Sequence, residues 1–97
     1  MKIIIALLIL ASQSTFACNN FEALIVAKIT EIKTISTGTC LVSVGDFSYF
    51  REHALCPLDM SEILNSGITL EGINCEKSIG DSIDGVVISN GLKIVLD

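Results

Sequence analysis

Four cysteines, Cys18, Cys40, Cys56 and Cys75, constrain this chain more than any other feature. They are even in number, widely spaced, and follow an export-type N terminus, which is the setting in which a disulfide framework is the rule. Met1 and Lys2 give a positive start, residues 3–11 an unbroken apolar run, and residues 12–17 a small-residue approach with Thr15 and Ala17 placed for signal cleavage. The run is much shorter than the roughly 20 apolar residues that span a bilayer. Residues 1–17 therefore read as a signal peptide and residues 18–97 as a single domain. Cleavage after Ala17 makes Cys18 the first mature residue, a position that also invites lipidation. Thr15, Phe16 and Ala17 lack the aliphatic residue usual three places before a lipidated cysteine. Lipidation would also strand one of the other three cysteines. The expectation is export without a lipid, to the periplasm or the medium.

The 80 residues that remain carry five Lys/Arg against eleven Asp/Glu, a net charge of −6 with His neutral. That surface repels phosphate backbones and excludes a nucleic-acid partner. No stable membrane insertion is expected. Eighty residues allow one domain with a thin core, too small for a two-domain enzyme. Staples then matter: each disulfide closing a loop of tens of residues contributes roughly 3–4 kcal/mol. No C-x-x-C motif supports a redox role. His53 and Cys56 form an H-x-x-C pair, but a zinc site needs three or four ligands and the rest are distant in sequence. No metal and no cofactor are expected.

From Phe21 to Ile35 the chain is rich in β-branched residues and alternates at Phe21, Ala23, Ile25, Ala27 and Ile29. Ile32 breaks that phase, as a bulge near Thr30 requires. A helical stripe through Phe21, Leu24, Ile25, Ile29 and Ile32, capped by Asn20, competes with the strand. Residues 36–39 hold a glycine-containing turn. Residues 40–44 and 47–51 alternate around Gly45 and Asp46, which predicts a two-residue hairpin and a three-stranded meander. Asp59 and Glu62 in capping-box spacing, with Gly67 beyond, predict a short helix over 60–65. Residues 68–73 read as a strand, 76–82 as a loop, and 83–89 with 92–96 as a hairpin around Asn90 and Gly91. The expected fold is mainly β: a small barrel of five or six strands with one short helix and two disulfides.

Three meander strands, a helix and a final strand pair follow the order of the oligonucleotide/oligosaccharide-binding (OB) barrel. With its stretches A-K-I-T-E-I-K-T, C-P-L-D-M-S-E-I-L and G-D-S-I-D-G-V-V, the chain resembles small exported bacterial proteins of OB-like type over most of residues 21–96. The resemblance implies a binding fold and assigns no ligand, since OB barrels hold nucleic acids, sugars or peptides. It also bears on the cysteines. A hairpin at Gly45 and Asp46 brings Cys56 back beside Cys40, and an OB-like first strand paired with a later one brings Cys18 to Cys75, a nested framework. If residues 39–55 instead form one long strand with Gly45 as a bulge, Cys18 falls opposite Pro57, and the pairs become Cys18–Cys56 and Cys40–Cys75.

Phe47, Tyr49, Phe50, Arg51 and His53 concentrate the ring-bearing side chains. Aromatics beside an arginine on an OB-like face form a stacking platform, so Phe47, Tyr49 and Arg51 are the candidate ligand-binding residues. Strand alternation puts Phe47 and Tyr49 on one face and Phe50 on the other, and core filling competes with ligand binding for all three. The same alternation turns Glu52 away from His53, which weakens an acid–base pair. Asp46, Glu71, Asp81 and Asp84 lack a calcium-loop pattern, and no nucleophile motif or phosphate loop occurs. The residues favour a module that binds a protein, peptide or glycan without transforming it. An inhibitor or structural accessory of the cell envelope is the main alternative, and a small hydrolase the third, to be revived by a cleft joining His53 to an acid.

Overall fold

The computed structural model describes residues 17–97. The expected signal segment, apart from Ala17, lies outside the described residues. Two long strands, β1 (Phe21–Ser36) and β2 (Thr39–Glu52), form a hairpin about the turn at Thr37 and Gly38. A helix α1 (Met60–Ser66), a strand β3 (Ile68–Glu71), a 3-10 helix (Gly72–Glu76), and strands β4 (Ser82–Ser89) and β5 (Ile94–Leu96) follow. The strands close a barrel in the order β1-β2-β3-β5-β4. All neighbours are antiparallel except β3 and β5, which run parallel and share a single residue pair, Thr69 with Val95.

Phe21 to Ile35 is strand, so the β-branched content prevails over the helical stripe. The inward positions Ala23, Ile25, Ala27 and Ile29 are all buried, small residues alternating with large ones as a narrow barrel requires. The phase break is a bulge at Thr30: Ile29 faces Val44 while Glu31 faces Ser43. Cys40, Val42, Val44, Ile68, Leu70, Ile83, Val87 and Ile94 complete the lining, and Leu58 and Ile63 enter it from the loop and helix after β2.

The expected hairpin at Gly45 and Asp46 is absent. Between the pairs Val26–Tyr49 and Lys28–Gly45, β1 spans one residue and β2 spans three, so the Gly-Asp signal builds a bulge, with Asp46 at φ +50°. β2 therefore runs unbroken beside β1, and the helix follows two strands rather than a three-stranded meander. The strand expected over 68–73 stops at Glu71, where Gly72 turns the chain into the 3-10 helix, and the strand expected over 92–96 begins at Ile94. α1 starts after Asp59 as read, although the Asp59 side chain makes no cap hydrogen bond. It ends at Gly67, whose φ of +74° a residue with a Cβ adopts only under strain.

The unbroken β2 also decides the disulfides. With Ala23 opposite Glu52, the antiparallel register carries Cys18 past the end of β2 to the neighbourhood of Cys56, and these two bond with Cα atoms 5.8 Å apart. Cys40 pairs across to Leu70 on β3, and the following 3-10 helix curls Cys75 back onto it, Cα to Cα 5.9 Å. The bonds are thus Cys18–Cys56 and Cys40–Cys75, and the expected nested framework, Cys18–Cys75 around Cys40–Cys56, is corrected together with the hairpin on which it rested. Two disulfides fit an oxidising, extracytoplasmic environment. No helix among the described residues is long and apolar enough to cross a membrane.

Candidate functional site

The outward residues of β4, β1 and β2 form the walls of a groove. Leu24 on β1 faces Arg51 on one side and Val86 on the other, and Val26 in the next outward row faces Tyr49 and Asp84. Leu24, Val26, Val86 and Ile88 are half-buried, so apolar carbon floors this face, although outward strand positions are ordinarily polar. A cavity of about 500 Å³ opens beside it, lined by Glu22, Ala23, Leu24, Arg51, Glu52, His53, Ala54 and Val86. Arg51 is the one side chain on that wall with a fixed positive charge, and Glu22 and Glu52 line the same cavity.

The loop of residues 53–58 shapes the groove's end. Glu22 is the anchor: its N–H donates to the Cys56 carbonyl at 2.9 Å, and its carbonyl accepts from His53 N and Leu58 N, both at 3.0 Å. The His53 imidazole Nδ1 accepts from Leu55 N and Cys56 N, each at 3.1 Å. Two donors converging on Nδ1 leave that nitrogen without a proton, so only Nε2 is free. His53 thus holds the turn that carries Cys56 to Cys18 and Leu58 into the core.

Of the candidate ligand-binding residues, Tyr49 and Arg51 do share the outer face, with Tyr49 43% exposed. Phe47 does not join them. The bulge at Asp46 shifts the alternation, so Phe47 meets Phe50 edge to face, ring centroids 6.1 Å apart, and both pack against the core. The expectation that Phe47 and Tyr49 share a face is therefore corrected, and Phe47 leaves the platform. Leu24 and Val86, which floor the groove, were not singled out in the sequence. The available signal was the apolar character of Leu24 and Val26 at outward positions of an otherwise alternating strand.

His53 lines the same cavity as two acids, Glu22 and Glu52, the residue types a hydrolase would use. The cavity wall carries no serine, threonine, cysteine or lysine to act as nucleophile, and the His53 Nδ1 is committed to the loop. Cys56 is disulfide-bonded, which removes the H-x-x-C pair. Among the described residues no three His, Cys, Asp or Glu side chains gather as a metal site. Of the scattered acids, Asp81 serves its own loop, its Oδ2 accepting from Ser78 N at 2.8 Å. What the groove offers is an apolar floor, one aromatic ring and one guanidinium on a rigid sheet. Comparison with known protein families, characterised proteins and solved structures finds no match to this chain.

Proposed function

We propose that this protein is an exported binding module of OB-like type that holds a peptide, a protein segment or a glycan in the groove over Leu24, Val86 and Arg51, with Tyr49 beside it. One observation carries the reading: apolar side chains that strand alternation would leave to solvent are half-buried and adjoin a cavity edged by a single guanidinium. The closure order of the barrel and its parallel β3–β5 contact support the OB-like assignment. The bond between Cys18 and Cys56 supports delivery to the periplasm or medium without a lipid, because lipidation needs the same sulfur.

Peptide and glycan arrays probed with the oxidised protein, followed by amide-shift mapping of each hit, test it. Shifts gather at Leu24, Arg51, Ala54 and Val86, and Tyr49→Ala and Arg51→Ala each weaken binding about tenfold, near 1.4 kcal/mol, with the melting temperature unchanged. Hits that map elsewhere on the barrel, or that ignore both substitutions, would sink the assignment.

A further inference from the structure

The outer half of β1 leaves one edge open. β1 pairs with β2 along its length but with β4 only from Phe21 to Lys28. At Ile29 the backbone is met by the loop before β4, its N–H donating to Asp81 O and its carbonyl accepting from Gly80 N, both at 2.9 Å. Beyond that point, from Thr30 to Ser36, no strand among the described residues occupies this edge. Every residue of the stretch is exposed except Ile32, which packs against the core, and Ile35 is 55% exposed. An open edge is a template for another strand, and a charged side chain is the usual guard against it. Here the guards, Glu31 and Lys33, flank the core-facing Ile32 and are opposite in sign.

We propose that this edge pairs with the same edge of a second copy of the chain, antiparallel about a two-fold axis at Ile32. In an isologous antiparallel pair the facing residues share a sheet face, so the axis falls at one residue and its position sets every contact. An axis at Ile32 sets Glu31 of each copy against Lys33 of the other, and Thr30 against Thr34. An axis at Glu31 opposes two carboxylates, and one at Lys33 opposes two ammonium groups, both destabilising. The charges therefore admit one central register and reject its neighbours, which a simple guard of like charges would not do. The bulge at Thr30 and the occupied backbone of Ile29 stop the pairing from running on toward the barrel's closed half. This edge shares no residue with the groove, so the proposal stands apart from the ligand reading.

Analytical ultracentrifugation of the oxidised protein, with Glu31→Lys, Lys33→Glu and the double exchange, tests it. The unaltered protein forms a dimer whose dissociation constant rises at least about tenfold, near 1.4 kcal/mol, in either single variant. The double exchange restores both opposed pairs with signs reversed and returns the constant to within about threefold. In the unaltered protein, amide exchange over residues 31–34 slows as concentration rises. A protein monomeric to about millimolar concentration, single variants with an unchanged constant, a double exchange that stays monomeric, or exchange independent of concentration would each overturn the proposal.

Discussion

Gly67→Ala tests whether the junction of α1 and β3 is as tightly specified as its geometry implies. At φ +74° and ψ −179°, Gly67 occupies a region essentially reserved for glycine, and an alanine held there is strained by about 1–3 kcal/mol. The added Cβ would also lie 2.8 Å from the Val42 carbonyl oxygen and 3.2 Å from Leu41 Cδ1. Leu41 can turn aside. Val42 cannot, because it faces Ile68 in the β2–β3 ladder and a shift there disturbs the barrel's closure. Such overpacking costs about 1–3 kcal/mol. The reduced freedom of the unfolded chain returns about 0.4–1 kcal/mol, so the net loss lies between about 1 and 6 kcal/mol and centres near about 3 kcal/mol. Gly38→Ala is the control: φ is +79° but nothing lies within 4 Å, so left-handed strain of about 1–2 kcal/mol acts alone and the net loss is below about 1.5 kcal/mol. Urea unfolding of both oxidised variants, read at constant m-value, gives the comparison. If Gly67→Ala loses no more than Gly38→Ala, the close approach to Val42 carries none of the energy assigned to it.

Two further outcomes follow from the same register. Peptide mapping of the oxidised protein recovers Cys18 linked to Cys56 and Cys40 to Cys75, and replacing either pair by serine lowers stability by about 4 kcal/mol, the chain-entropy value for loops closed over sequence separations of 38 and 35; a Cys18–Cys75 peptide would contradict the continuous β2. His53→Ala removes the acceptor shared by Leu55 N and Cys56 N and destabilises by roughly 0.5–1 kcal/mol, since water reaches this exposed turn, and His53→Asn recovers part of the loss. Equal denaturation midpoints for all three proteins would show that the imidazole does not hold the loop.

The parts of the fold legible in the sequence are those governed by local chemistry. The bulge at Thr30 is written in the phase of Ile29 and Ile32, and the helix ends are written in Asp59 and Gly67. Gly45 and Asp46 were misleading because the same pair serves a two-residue turn or a bulge, and the choice depends on the length of the strand across the ladder. Pairing with a sixteen-residue β1 settles it. That one decision propagates, fixing the disulfide partners and turning Phe47 from the outer face toward Phe50. Tyr49 and Arg51 share a face because both lie beyond the bulge on regular strand. The groove floor was hidden for a different reason: Leu24 and Val86 are far apart in sequence and become neighbours only through the β1–β4 pairing.

Both cross-links lie within residues 18–75, and neither touches β4 or β5. The disulfides thus restrain only the first three strands and the helix in the unfolded ensemble, leaving the rest of the chain with the entropy of an untethered tail. β5 is held through three pairs to β4 and one to β3, with Asp97 N donating to Val86 O at 2.8 Å beyond its end. The C-terminal ribbon is therefore held by strand pairing and packing alone, β4 through eight pairs to β1, and is expected to open as its own sub-global unit. Native-state hydrogen exchange would show the amides of β4 opening at lower free energy than those of Leu41 and Val42, and equal values would mean a single foldon. Strengthening either existing bridge would not slow that opening, whereas a bond tying β4 to β1 would.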